Sequence, residues 1–367
     1  MCLDLATISL LLPDLRGGGV ERVKLVLARE FARLGHTVEV VMLQAKGDLL
    51  REAQREFALV DLATPRARNV APALARYLRQ RRPDALIASM WPLTVIAPFA
   101  ARLAGFQGKV LVSEHNYLTQ QYKAWGALHR FGLRASTSIG YRLASARVGV
   151  SLGVCADIAG LSFMSQGLFT TIYNPVRPVV QPGWDDLRVS HALWGTDGAR
   201  ILTVGSFKEQ KNHALLLRAF AAMSRPEAKL MLLGQGRNEA ALRALASDLG
   251  IADRVIFAGF HADPAPYYAS ADLFVLSSDY EGFGNVIVEA LSFGLPVVST
   301  DCPSGPAEIL KGGRLGRLVQ VGDAAALARA MADALAAPVD REALIRRASE
   351  FAPMIAARKY LDLLGLT

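Results

Sequence analysis

Short apolar runs alternate with amphipathic stretches in two successive series, and this rhythm limits the chain to sheets covered by helices. In the first series the strand candidates are Leu5–Leu12, Thr37–Leu43, Ala85–Ser89, Val110–Glu114 and Arg147–Ser151. The spacing predicts a helix over Val20–Leu34, where apolar residues recur at three and four. The second series offers strands at Ile201–Gly205, Lys229–Gly234, Val255–Gly259, Leu273–Leu276, Pro296–Thr300 and Leu315–Val319. Helices fit between them at Asn212–Met223, Glu239–Leu249, Val286–Phe293 and Ala324–Ala336. Between the series, residues Tyr173 to Gly183 hold three prolines and a glycine, which break a helix and disfavour a central strand. The expected architecture is α/β: two doubly wound, Rossmann-like domains facing a central cleft. One spans 1–175, with 353–367 as a candidate helix completing it, and the other spans 176–352. In such sheets ligands sit outside the carboxyl ends of the strands.

Composition narrows the class. Hydrophobic residues make up 52% and charged residues 20%, enough apolar material for two cores and too much for disorder. Cys2, Cys155 and Cys302 lie too far apart for a disulfide framework or a metal knuckle, and read as reduced thiols. The start carries Asp4 and no basic residue, unlike a signal peptide. The uncharged run Ala85–Ala101 has 17 residues and contains Pro92 and Pro98, short of the roughly 20 residues a spanning helix needs. The expectation is a soluble, cytoplasmic protein. Charge is uneven: 22 Lys+Arg face 12 Asp+Glu up to Trp184, against 19 and 21 beyond it. The basic half suits an anionic partner.

Three loops could carry chemistry. Gly17-Gly18-Gly19 stands between the first strand and a helix, where backbone can approach an anion closely. It is neither GxGxxG nor a P-loop. Val204 to His213 again leads from strand to helix, with Lys211 near the helix start, where an answering anion is favoured. In Ser277 to Leu291, a Gly282-Phe283-Gly284 turn precedes a helix that carries Glu289 among Val286, Ile287, Val288, Ala290 and Leu291. A charge in that apolar setting needs a partner. Together, Glu281 and Glu289 make a pair of acceptors suited to sugar hydroxyls.

Glu281-x7-Glu289 around Gly282-Phe283-Gly284 resembles the signature of the family-4 retaining glycosyltransferases, which have the GT-B fold. The resemblance extends to Leu295–Ile309, Gly18-Gly19-Val20-Glu21-Arg22, Asn174-Pro175-Val176 and Leu232-Leu233-Gly234-x-Gly236, and so covers essentially the whole chain. It implies transfer of a hexose or N-acetylhexosamine, with retention, from a nucleotide-sugar donor such as a UDP-sugar. The acceptor would be a glycan or lipid-linked molecule in surface polysaccharide or glycoconjugate assembly. The residues matching the family's motif take the following implied roles. Lys211 would bind the donor diphosphate, joined by Gly18 and Gly19 from the other domain. Glu281, with the backbone of Phe283, Gly284 and Asn285, would hold the donor sugar. Glu289 would accept from the ribose hydroxyls, and His115, in Ser113-Glu114-His115-Asn116, matches the active-site histidine.

Where the family usually carries an arginine, five positions before Lys211, stands Ser206. A bidentate guanidinium is therefore missing, and Lys208 is the candidate substitute. No Asp-x-Asp triplet occurs, so the expectation is metal-independent catalysis without a cofactor and without a covalent nucleophile. Two alternatives stay open: a nucleotide-sugar epimerase on the same fold, and an inactive sugar-nucleotide-binding homologue.

From Tyr117 to Arg147 aromatic and basic residues interleave without an acid: Tyr117, Tyr122, Lys123, Trp125, Arg130, Phe131, Arg134, Tyr141, Arg142 and Arg147. The stretch suits either a helical excursion packed on its domain or an anionic membrane surface at the inner face, with rings at headgroup level. No nucleic-acid recognition motif accompanies it.

Overall fold

The computed structural model describes residues 5–65, 69–177, 179–195 and 198–367; Cys2, Asp4 and Pro178 lie outside them. The chain forms two compact units, Met1–Arg177 with Phe351–Thr367, and Pro178–Glu350. The division falls two residues beyond 175. Val176 N–H donates to Phe351 O at 3.0 Å, and Arg177 pairs with Glu52 at 3.7 Å, which keeps both residues on the first unit.

The first unit is a seven-stranded sheet of β1 (Thr7–Leu12), β2 (Thr37–Met42), β3 (Ala58–Asp61), β4 (Ala85–Ser89), β5 (Lys109–Glu114), β6 (Ala146–Gly149) and β7 (Thr170–Thr171), ordered β3-β2-β1-β4-β5-β6-β7. The second unit has β8 (Arg200–Val204), β9 (Lys229–Leu233), β10 (Val255–Gly259), β11 (Leu273–Leu276), β12 (Val297–Thr300) and β13 (Arg317–Val319), ordered β10-β9-β8-β11-β12-β13. Every pairing is parallel. Parallel strands need crossover helices on both faces, which is why β1, β4, β8 and β11 are largely buried and predominantly apolar. Strand order reverses between β1 and β4 and between β8 and β11, and the crevice for a ligand opens at such points.

Several ends differ from the sequence reading. The Leu315–Val319 run becomes strand only from Arg317. Gly312 and Gly313, both at positive φ, turn the chain, and Leu315 N–H caps Leu310 O at 3.1 Å. Arg147–Ser151 ends early because the Ser151 hydroxyl caps the next helix by accepting from Val154 N–H. Pro296 cannot donate to the ladder, and β12 starts after it. The edge strands β3 and β7 are not among the sequence candidates: both are short and half-exposed, β3 with apolar residues only from Ala58 to Val60 and β7 two threonines. The Trp184–Trp194 and Arg341–Ser349 helices were missed too. Apart from Trp194 and Ser190, the former's side chains are not buried.

The Pro353–Leu364 helix returns to the first unit. Its Ala356, Ala357, Tyr360, Leu361 and Leu364 form one buried stripe against Val23, Leu27 and Phe31 of the Gly19–Arg33 helix and Ile8 of β1. Leu361→Ala is expected to destabilise the protein by about 2–5 kcal/mol in urea unfolding, the cost of a core cavity. Ile355→Ala, at a 43% exposed position of the same helix, is expected to change it by under about 0.5 kcal/mol.

Candidate active site

At the β8–β11 switch point two loops are tied together. The loop after β8 passes close to the one after β9: a Cβ at Gly234, whose φ is +152°, would lie 2.0 Å from Gly205 O, and one at Gly236 would lie 2.8 Å from Phe207 N. Phe207 points into the core beside Phe257 and His213. The chain then makes a single 3-10 turn, Glu209–Lys211, and reaches Asn212 in the left-handed region at φ 44°. Asn212 does two jobs. Its Oδ1 accepts from Leu215 N–H at 3.1 Å, capping the His213–Ala222 helix, while its Nδ2 donates to Asp279 at 2.7 Å. Gln210 Nε2 donates to Tyr280 O, and Asp279 N–H donates to Gln210 O, both at 2.8 Å.

This lock places Lys211 against Glu281. Lys211 Nζ donates to Glu281 Oε1 at 2.6 Å, and Ser278 Oγ donates to the same oxygen at 2.6 Å. The side chains retain 18% and 7% of their exposure. After Glu281, Gly284 at φ +100° starts the Asn285–Ser292 helix, whose positive dipole end faces the turn. A Cβ on Gly305 would sit 1.8 Å from Phe283 O, so glycine lets the loop after β12 lie on this turn. Two further bonds hold that loop: Glu281 N–H to Pro303 O at 3.2 Å, and Ser304 Oγ to Gly282 O at 2.8 Å.

Glu289, about one turn into that helix, has the partner its surroundings demand: Tyr268 OH donates to Oε2 at 2.8 Å. Burial, and then the Glu289 charge, push the Tyr268 phenol well above its ordinary pKa, keeping it a donor. Ser206 and Lys208 flank buried Phe207, Ser206 half-buried and Lys208 exposed. The second unit therefore brings Lys211, Glu281, Phe283, Gly284, Asn285 and Glu289 to one strand-end region. Tyr268, Ser278, Asp279 and Gln210 were missed. Their types are ordinary in loops and helices, and no spacing marks them.

In the first unit, Gly17 (φ +89°) and Gly18 lead into the Gly19–Arg33 helix at the end of β1, and the Glu21 carboxylate lies 2.5 Å from where a Gly18 Cβ would stand. His115 follows β5 and is buried. Its Nε2 is 3.0 Å from Ser113 Oγ, and Nδ1 makes no hydrogen bond of good geometry. Burial first, and then the Lys24 charge, hold the imidazole well below its usual pKa, while Asn174 acts weakly in the other direction. Glu114 points the opposite way from the strand. It accepts from Thr94 and from Tyr141 OH at 2.7 Å and from Trp91 N–H at 3.3 Å, and burial pushes it up to about 7.

The stretch from Tyr117 to Arg147 divides. Tyr141 is core, and Arg147 caps the carbonyls of Tyr141 and Ala144, so neither belongs to a surface. Arg142 likewise serves the carbonyls of Ser162 and Phe163. Tyr122 and Trp125 pack on each other at 4.2 Å and on Trp91 at 5.3 and 5.7 Å. What faces outward from the Ala127–Leu143 helix is Leu128 (79% exposed), Phe131 (71%) and Ile139, among Arg130 and Arg134.

Residues 17–179 match the family model described as Glycosyltransferase Family 4, and residues 198–337 match Glycosyl transferases group 1. The chain belongs to the family-4 glycosyltransferases. Its two parallel sheets have the GT-B fold: Anabaena HepE, solved with UDP and glucose, superposes with a TM-score of 0.84 at 20% identity, over 98% of this chain and 99% of that one. The Rhizobium meliloti lipopolysaccharide core biosynthesis glycosyltransferase LpsE is 40% identical over 154 residues, 42% of this chain and 44% of its own length. The Escherichia coli lipopolysaccharide 1,6-galactosyltransferase is 27% identical over 261 residues, 69% of this chain and 66% of its own length. The chain thus matches less than half the length of LpsE. Among the described residues no helix is long and apolar enough to cross a membrane.

Removing one member of the buried ion pair strands the other. Lys211→Met is expected to cost about 3–5 kcal/mol, towards the lower end because the ammonium is partly exposed. Adding Glu281→Gln to it should recover part of that loss. A double-mutant cycle by urea unfolding measures the coupling.

Proposed function

We propose that this chain is a retaining, metal-independent hexosyl- or N-acetylhexosaminyltransferase that uses a UDP-sugar and extends a glycan or lipid-linked acceptor in surface polysaccharide assembly. The observation that carries the reading is the Lys211–Glu281–Ser278 cluster beside the start of the Asn285–Ser292 helix, at the β8–β11 switch point. An ammonium and a helix N-terminus are the groups that stabilise negative charge growing on a leaving diphosphate. Glu281 keeps the ammonium aligned and, with the backbone of Phe283, Gly284 and Asn285, meets the donor sugar. Glu289, fixed by Tyr268, accepts from ribose hydroxyls. On the first unit, the family resemblance assigns Gly18 and Gly19 to the phosphates and His115 to the reacting sugar. Ser206 leaves Lys211 without the family's usual guanidinium, and Lys208 is the nearest lysine in sequence.

The names of relatives support the class. HepE is solved with UDP-glucose, LpsE and the galactosyltransferase act in lipopolysaccharide synthesis, and a Campylobacter jejuni relative, 40% identical over 121 residues, is named for a diphospho-undecaprenol acceptor. With a panel of UDP-sugars and lipid-linked acceptors, Glu289→Ala is expected to weaken nucleotide binding by about 1–3 kcal/mol in calorimetry. His115→Ala should depress turnover and spare nucleotide affinity. Excess EDTA should leave the rate unchanged. Epimerisation of donor alone, or a rate abolished by EDTA and restored by magnesium or manganese, would overturn the reading.

Peripheral attachment at the inner face of a cytoplasmic membrane is the second part of the proposal. Exposed Leu128 and Phe131 beside Arg130 and Arg134 favour it, since each cation near an anionic leaflet contributes about 1 kcal/mol. Co-sedimentation with anionic vesicles is expected at low salt and lost at high salt. Replacing Lys123, Arg130 and Arg134 with glutamate should abolish it; equal binding by the variant would count against this surface.

A further inference from the structure

We infer that Lys24, Tyr360 and Ser113 form a buried hydrogen-bond relay that decides which ring nitrogen of His115 carries its proton, so that all three are positioning residues for that histidine. The inference rests on the reading of His115 as the residue beside the reacting sugar.

The relay crosses three elements. Lys24, on the Gly19–Arg33 helix, is fully buried between Val23 and Leu25, where an ammonium costs several kcal/mol unless it is answered. Its Nζ lies 3.4 Å from Tyr360 OH and 4.9 Å from the centre of that ring. Tyr360, on the helix that the chain's last residues return to the first unit, is 2.8 Å from Ser113 Oγ on β5. Ser113 Oγ is 3.0 Å from His115 Nε2. The arrangement spans 336 positions of sequence between its two ends on the helices.

Donor chemistry gives the chain a direction. A lysine ammonium has three protons and no lone pair, so it can only donate. Tyr360 accepts from it and passes its single proton to Ser113 Oγ, and Ser113 in turn donates to Nε2. An imidazole that accepts at Nε2 and is held neutral by its burial must carry its proton on Nδ1. Nδ1 is itself buried and makes no hydrogen bond of good geometry, with Asn174 the other side chain acting on the ring, so no protein acceptor competes with the relay for that proton's position.

Deprotonation removes the direction. A neutral Lys24 amine can accept from Tyr360, the hydroxyls can reverse, and Nε2–H becomes accessible. Burial draws the Lys24 ammonium down to about 7, opposed by the Glu114 charge. The titratable groups that act on the relay are Glu114 on β5, which lies on the other side of the strand and is itself pushed up to about 7 by burial, His115 after it, and the Cys155 thiol on the Leu152–Ser162 helix, which acts on Tyr360.

The test is long-range proton–nitrogen NMR on the full chain with 15N-histidine, the His115 signals being assigned from a His115→Gln variant. At pH 6 the wild type is expected to show protonated Nδ1 and bare Nε2, with Nε2–H growing in between pH 6 and 8. Tyr360→Phe, which removes one oxygen, should give mixed tautomers at pH 6. Lys24→Met should do the same and abolish the pH response, whereas Ser113→Thr, keeping a hydroxyl, should retain the wild-type pattern. Circular dichroism reports whether each variant folds, and if Lys24→Met does not, Tyr360→Phe decides. Nε2–H in the wild type at pH 6, or an unchanged tautomer in folded Tyr360→Phe, overturns the relay. These signals need no turnover, so loss of activity in His115→Ala and failure of the relay are separate results.

Discussion

A parallel sheet that is buried on both faces has only its strand ends left for chemistry, and both units of this chain are built under that constraint. The helices that return each strand to its neighbour cover the faces, and the core of the second unit, from Leu216 and Phe220 through Leu232 and Val275 to Leu327 and Met331, is continuous beneath them. Polar groups gather at the carboxyl ends. Gly18 follows β1, His115 follows β5, Lys211 follows β8, and Glu281 and Glu289 follow β11. These are ends of strands at or beside the two points where strand order reverses.

At the second of these points the charges are arranged for alignment more than for stability. A buried ion pair gains little over an apolar pair of the same size, because desolvation offsets the attraction. What Lys211 and Glu281 gain is a fixed geometry: one carboxylate oxygen takes both the ammonium and the Ser278 hydroxyl, while Asn212, Gln210 and Asp279 hold the two loops in register. A cation so held needs little reorganisation when charge develops beside it, which is the condition under which electrostatic stabilisation is largest.

The fold was legible because its signal is local and repeated. Apolar runs such as Ala85–Ser89, Val255–Gly259 and Leu273–Leu276 match their strands residue for residue, since strands covered by helices are predominantly apolar. The misses, β3 and β7, are edge strands of four and two residues, too short and too exposed to stand out from a loop. The aromatic and basic stretch was read too uniformly: Tyr141 turned inward to Glu114 and Arg147 to backbone carbonyls, because a long side chain can reach partners that neighbouring residues in sequence do not reveal.

The sequence by itself determined the two-sheet α/β architecture, the positions of its strand-to-helix loops, and the family signature with Lys211, Glu281 and Glu289 on it. These follow from periodicity and from residues within a few positions of one another. Only the tertiary structure decided their partners. Tyr268 lies 21 positions from the Glu289 it serves, Lys211 lies 70 from Glu281, and Tyr360 lies 247 from Ser113. No local pattern couples such pairs, because a hydrogen bond depends on where the packed backbone brings two atoms, and that is settled by the burial of every other residue in the core.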